Sequence, residues 1–311
     1  MSNFAIERIE RESGSSVALY AWPLPQRPIK AAVQIAHGLS EHAGRYDRLA
    51  QDLVQAGYAV YASDHRGHGH STRTPTEYGH FGARDGFERV IEDMYAVNRR
   101  IAERHPDLPR VLFAHSFGSF VAQHYLGRYG DSVAAVVLSG TDYGSGSLLR
   151  VALGVIALER ARLGPTNRSA LIQKLTFGGY NKAFQPARTD FDWLSRDSAE
   201  VDKYVADPLS GFAMTTQAWM DLIRGLRGVE DPALHARIPK QLPIYLFAGA
   251  LDPVGRAGKG PRALAKAYER AGLSKVTLKL YPGGRHEMIN EVNRAEVVQD
   301  LVAWLDAQFA R

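Results

Sequence analysis

A serine, an aspartate and a histidine stand at three points of this 311-residue chain where an apolar run gives way to a turn. Ser116 lies in Phe113-Ala-His-Ser-Phe-Gly118, after Val111-Leu-Phe-Ala114 and before the helical pattern of Phe120, Val121, Tyr125 and Leu126. A serine on a sharp strand-to-helix turn has its hydroxyl lifted above the sheet and the following amides turned toward whatever that oxygen attacks. Such a nucleophile needs a base, and the base needs an orienting carboxylate. Three histidines follow Ser116. His124 falls inside the helix that starts at the serine, and His235 has no strand before it. His286 sits in Tyr281-Pro-Gly-Gly-Arg-His-Glu287, just past the strand-like Val276-Thr-Leu-Lys-Leu280. Asp252 closes the apolar run Ile244-Tyr-Leu-Phe-Ala-Gly-Ala-Leu251. The order Ser, Asp, His, each at the carboxyl end of a strand, is the arrangement of a nucleophilic acyl-transfer site on an open sheet. Separately each position has a plainer reading: a helix cap, a turn starter and a surface histidine. The ordered set is what carries the expectation.

Acyl transfer also requires donors for the developing oxyanion. The backbone N–H of Phe117, next to the serine, is the first candidate. The second is the N–H of Leu39, in His37-Gly38-Leu39 after the strand-like Ala31–Ala36. The local signature departs from G-x-S-x-G at Ala114.

The elements that must position these residues alternate. Residues 4–9 and 16–22 flank Glu12-Ser-Gly14 and read as an antiparallel hairpin. Strands are expected at 31–36, 58–63, 111–114, 133–139, 244–249 and 276–280. Helices are expected at 46–56, 87–103, 261–271 and from Asn293 onward. The 87–103 helix turns Phe87, Val90, Ile91, Met94, Val97 and Ile101 to one face, and the last helix does the same with Val297, Val298, Leu301, Trp304, Leu305 and Phe309. Alternating apolar strands and amphipathic helices give an α/β protein: a mostly parallel sheet with helices on both faces. Residues 141–215 break the rhythm. They hold no clear strand but contain the apolar run Leu148–Leu158. They read as a helical cap inserted into a core formed by residues 1–140 and 216–311, placed over Ser116 and forming an acyl pocket.

His37-Gly-Leu-Ser-Glu-His42, Arg45-Tyr46, Gly57-Tyr58 and Asp64-His-Arg-Gly-His-Gly-His-Ser71 resemble the monoacylglycerol lipase and lysophospholipase branch of the α/β-hydrolases. Asp192-Trp-Leu-Ser-Arg-Asp197 with Asp207-Pro208 is similar to its bacterial members. The resemblance runs from about residue 30 to the end of the chain. It implies an α/β-hydrolase fold with an inserted helical cap. It also implies a triad of Ser116, Asp252 and His286, with an oxyanion hole formed by the amides of Leu39 and Phe117. The implied activity is hydrolysis of lipid monoesters through an acyl-enzyme, and the implied partner is a small ester or lipid. A thioesterase or aminopeptidase with the same triad, and a non-catalytic binder of small molecules on the same fold, remain alternatives.

Composition narrows the rest. With 45% hydrophobic and 23% charged residues the chain is an ordinary globular one. No cysteine is present, which removes disulfides and thiolate chemistry. Met1-Ser-Asn-Phe-Ala-Ile-Glu-Arg8 has no apolar signal-like core, and no run of transmembrane length occurs, so a cytoplasmic location is expected. The net charge of +5 is spread along the chain without a basic stripe, which argues against nucleic acid. Transient contact with a membrane surface through the cap, a peripheral location, is compatible with the apolar 148–158 run. Nothing in the sequence bears on oligomeric state. His65-x-x-His68-x-His70 has metal-like spacing, but Gly67 and Gly69 make it a loop, and no metal is expected. Neither a phosphate loop nor a dinucleotide fingerprint is present, so no cofactor is expected.

Overall fold

The computed structural model describes residues 4–11, 14–144 and 146–309. The strands are β1 (Ala5–Glu10), β2 (Ser16–Ala21), β3 (Ala32–Ala36), β4 (Ala59–Ser63), β5 (Arg110–His115), β6 (Ala135–Ser139), β7 (Ile244–Gly249) and β8 (Val276–Tyr281). The helices are α1 (Asp47–Gln55), α2 (Gly86–Arg104), α3 (Phe117–Tyr129), α4 (Gly146–Leu163), α5 (Ala170–Phe177), α6 (Ser198–Ala206), α7 (Thr216–Gly228), α8 (Pro232–Ala236), α9 (Lys259–Arg270) and α10 (Arg294–Phe309). All eight strands join one sheet in the order β1-β2-β4-β3-β5-β6-β7-β8. The β1/β2 and β2/β4 pairs are antiparallel, and every other pair is parallel. The hairpin pairing is present, while its turn at Glu12-Ser13 lies outside the described residues.

Side chains on a strand alternate between faces, so each central strand feeds two cores. Leu112 and Ala114 of β5, with Val136, Leu138, Ile244 and Leu246, pack under α2, α3, α7 and α9. Val111 and Phe113, with Ala135, Val137, Tyr245 and Phe247, pack under α1 and α10. This double burial is why the strands read as continuous apolar runs. All six expected apolar residues of α2 are buried. On α10 only Val297, Leu301 and Leu305 are fully buried, while Val298, Trp304 and Phe309 rest partly exposed against the same core. The expected 46–56 helix begins differently: a tight 3₁₀ turn at Ala43–Tyr46 precedes α1.

Between β6 and α7 the described chain adds no strand to the sheet, only an isolated bridge from Arg168 to Thr215. Of the apolar run in α4, Ile156 is buried and Leu149, Ala152 and Leu153 pack against the core, whereas Leu148, Val151 and Leu158 are exposed. Among the described residues no helix is long and apolar enough to cross a membrane.

Candidate active site

Ser116 joins β5 to α3 with φ 49° and ψ −118°. This backbone region is sparsely populated by non-glycine residues and costs of the order of 1–3 kcal/mol, so the surrounding structure must enforce it. The enforcement is visible. The Ser116 N–H donates to Ser139 O at 2.9 Å, and Ser116 O accepts from the Ser119 N–H and hydroxyl. Gly118 is required by close approach, since a Cβ there would stand 2.6 Å from the carbonyl oxygens of Ala36 and His37. The Ala114 departure is absorbed in the sheet, where the fully buried methyl is paired between β3 and β6.

Asp252 and His286 arrive from the ends of the last two strands, β7 and β8. Asp252, fully buried, accepts from Val254 N–H at 2.9 Å. Both of its oxygens lie 3.0 Å from His286 Nδ1. The His286 loop presses on the end of β7, where a Cβ on Gly249 would stand 2.1 Å from Arg285 O. Its amides also pair with the chain before α6: His286 N–H to Trp193 O at 3.3 Å and Glu287 N–H to Leu194 O at 2.8 Å. The Trp193 ring packs on the imidazole with centroids 5.1 Å apart, and the His115 ring lies 4.7 Å away. Burial disfavours the charged imidazole. The Asp252 charge and hydrogen bond, with help from Glu287 and Glu41, outweigh it, and the His286 pKa lies above the usual 6.5. Ser116 Oγ has no hydrogen bond among the described residues; such contacts commonly tighten only when substrate is bound.

The His37-Gly38-Leu39 loop, entered from β3, has most of its polar groups occupied. Gly118 N–H donates to His37 O, Gly38 N–H to Glu41 Oε1, and Ser40 N–H to His68 Nε2 at 3.1 Å. Ser40 O accepts from Gly211 N–H and from the Tyr204 hydroxyl. Among the described residues the N–H groups of Leu39 and Phe117 have no partner.

The histidines with metal-like spacing are spent on backbone. His37 Nε2 accepts from His65 N–H, His65 Nε2 bonds His37 O, and His68 Nδ1 bonds Arg66 O. Burial lowers all three: His37 well below its ordinary value, His65 to about 4 and His68 to about 3. They are neutral wedges under the loop. His70 contributes its N–H to Asp64 and a ring contact to Tyr20. His124 and His235 are elsewhere, bonded to Gly225 O and Val229 O.

Ser116, His286, Leu39 and Phe117 share one cavity of about 1590 Å³. One part of its wall is apolar, formed by Leu149, Ala152, Ile156, Ile172, Leu222 and Ile223; another carries Asn181, Lys182, Arg188 and Asp190. Sequence reasoning did not single out Trp193, His115 or the buried charges around Arg45 as parts of the site. Only the motif resemblance touched Glu41, Arg45 and Trp193, and the position of Glu287 directly after His286 was the one local signal.

A mostly parallel sheet of this strand order, with a serine elbow after its fifth strand and an Asp–His pair from the last two strand ends whose histidine lines the same cavity, defines an α/β-hydrolase fold. Comparison with known proteins agrees. The chain belongs to the hydrolase family described as serine aminopeptidase, S33, whose model matches residues 27–293. It is similar to the monoacylglycerol lipase of Mycolicibacterium smegmatis, 30% identical over 284 residues and 90% of each chain. It is 27% identical to the monoglyceride lipase of Rattus norvegicus, over 92% of this chain and 86% of that one. The crystal structure of a highly thermostable carboxyl esterase from Bacillus coagulans superposes with a TM-score of 0.90 at 26% identity, covering 99% of this chain and all of that one. The protein is a serine hydrolase of the carboxylic ester class.

Proposed function

We propose that this protein hydrolyses lipid monoesters, of the monoacylglycerol or lysophospholipid kind, through an acyl-enzyme on Ser116. The observation that carries the reading is the Asp252–His286 contact at 3.0 Å opening on the same cavity as the Ser116 elbow. In the proposed cycle Ser116 Oγ attacks the ester carbonyl carbon as His286 Nε2 takes its proton. Asp252 holds the opposite ring nitrogen and stabilises the imidazolium. The Leu39 and Phe117 amides receive the oxyanion, each such donor being worth about 3–4 kcal/mol in comparable enzymes. The C–O bond then breaks, and the alcohol leaves with the proton from His286. Water, activated by the same histidine, attacks the acyl carbon, and the acid and free serine are released.

Residues 141–215 act as the cap over this site and supply the acyl pocket through the apolar cavity wall. The exposed Leu148, Val151 and Leu175, which also line the cavity, together with the exposed Leu158 and Leu171, suit peripheral contact with a lipid surface from which a cytoplasmic enzyme collects substrate. Names of the relatives support a lipid ester; the family description keeps peptide chemistry as the competing outcome.

The test is hydrolysis of p-nitrophenyl esters from acetate to palmitate and of a monoacylglycerol, with aminoacyl p-nitroanilides in parallel, by wild type and Ser116→Ala. Serine-dependent turnover that rises with acyl length is expected, with kcat in Ser116→Ala lower by about 10⁶. Turnover confined to the anilides, or undiminished in Ser116→Ala, overturns the reading.

A further inference from the structure

Three charged side chains outside the proposed triad are sealed between the two loops that meet at Ser116. Arg45 lies between Glu41 and Glu287, and the three side chains are 12%, 4% and 6% exposed. Arg45 Nη1 and Nη2 donate to the two Glu287 oxygens at 2.7 Å each, and Nη1 also donates to Glu41 Oε2. The remaining acceptors are filled. Glu41 Oε1 takes the Gly38 N–H and the Tyr46 hydroxyl, and Glu287 Oε2 takes Asn290 Nδ2 at 2.8 Å. The guanidinium stacks on Tyr204, 4.7 Å from the ring centroid, and that residue's hydroxyl donates to Ser40 O at 3.0 Å.

Each end of this triad terminates on a reacting element. At one end Glu41 fixes the amide of Gly38, one residue before the free N–H of Leu39. At the other, Glu287 directly follows His286 in the chain. A buried ion triad is costly to desolvate, and apolar replacements of similar volume often match or exceed its contribution to stability. What an apolar cluster cannot reproduce is the planar fork that fixes two carboxylates in one geometry.

We propose that Arg45 is a positioning residue for the hydrolytic reaction, locking the loop that carries the Leu39 amide to the loop that carries His286 through Glu41 and Glu287. The proposal rests on the ester-hydrolase reading above. The charged and titratable groups acting on His286 are Asp252 from the loop after β7, His115 from β5, Glu41 from the segment after β3 and Glu287 from its own loop, while Arg45 acts on the neighbouring His115. Removing the Glu287 charge therefore leaves the imidazole less basic.

The experiment is steady-state hydrolysis of a p-nitrophenyl ester across the acid limb by wild type, Arg45→Met, Arg45→Lys, Glu287→Gln and Ser116→Ala, with thermal melts of each. Arg45→Met is expected to lower kcat by about 10–100-fold with KM within about twofold, the signature of misplaced groups. Arg45→Lys recovers part of the loss, since it keeps the charge and loses the fork. Glu287→Gln moves the acid limb of kcat/KM to lower pH, a shift that a purely structural role would not produce. If Arg45→Met does not fold, the neutral triple variant Glu41→Gln/Arg45→Met/Glu287→Gln is read by the same kcat criterion, and the two conservative single variants by theirs. A folded Arg45→Met or triple variant with wild-type kcat, or an unmoved acid limb in Glu287→Gln, overturns the clamp while an inactive Ser116→Ala leaves the ester-hydrolase reading standing. Wild-type turnover in Ser116→Ala would instead remove the reading itself.

Discussion

His286 Nδ1 stands 3.0 Å from both carboxylate oxygens of Asp252, a residue 34 positions earlier in the chain. A single nitrogen balanced between two acceptors cannot rotate without losing both, so the ring is held with Nε2 presented to the cavity side. The same contact supplies the charge that keeps the imidazole basic despite full burial.

That contact sets a pH dependence. In the proposed cycle His286 must be neutral to accept the serine proton, and its pKa is raised, so kcat/KM is expected to fall as pH drops through a midpoint above the ordinary 6.5. Asp252→Asn removes the largest raising influence. It is expected to move that midpoint below the wild-type one and to lower kcat by about 10⁴. A pH–rate profile of the two proteins checks both statements.

Gly249 is a packing necessity. A Cβ there would lie 2.1 Å from Arg285 O and 2.2 Å from Gly284 O, so Gly249→Ala must push the His286 loop off the end of β7. The expected result is a loss of about 1–3 kcal/mol in urea unfolding together with lower kcat. Unchanged stability and turnover would show that the loop does not need this approach.

The apolar wall makes a size prediction. Ala152 lines the cavity on α4. Ala152→Trp is expected to reduce kcat/KM for long-chain esters by about tenfold or more while leaving acetyl esters within about twofold, as loss of pocket volume should. Equal effects on all chain lengths would place the acyl chain elsewhere.

Ser116 and Asp252 were legible because each follows an apolar run, β5 and β7, buried on both faces, whereas His286 follows the half-buried edge strand β8 and was found by the glycine loop after it and by its place in the chain order. Leu39 and Phe117 were legible by adjacency: one follows the serine, the other follows the first parallel strand. The Arg45 cluster was not, because Arg45 and Glu287 are separated by 242 positions and charged loop residues carry no periodicity. The contact of Trp193 with His286 likewise depends on how residues 192–197 fold back along the histidine loop, a long-range pairing that no local pattern encodes. The α1 start was placed within one residue, but the 3₁₀ turn Ala43–Tyr46 ahead of it was not foreseen, since it is fixed by Asp64, which accepts the Ala43 N–H from 21 residues away.

The neutral histidines around the His37–Leu39 loop and at the end of β5 carry a cost in acid. His65 titrates at about 4 and His68 and His115 at about 3 in the folded protein, against about 6.5 when unfolded. Above 6.5 neither state binds these protons, and the histidines are silent. Below it the unfolded chain takes up protons that the folded chain refuses, so stability falls progressively with pH toward those folded values. Urea midpoints measured downward from neutrality are expected to drop steeply below about 6.5 and to drop less in His65→Gln. Acid would therefore act on this protein by two separate routes, first protonating the proposed base, whose pKa is raised, and then, below about 6.5, weakening the scaffold that aims it. Its working range is bounded from below by imidazoles outside the proposed triad.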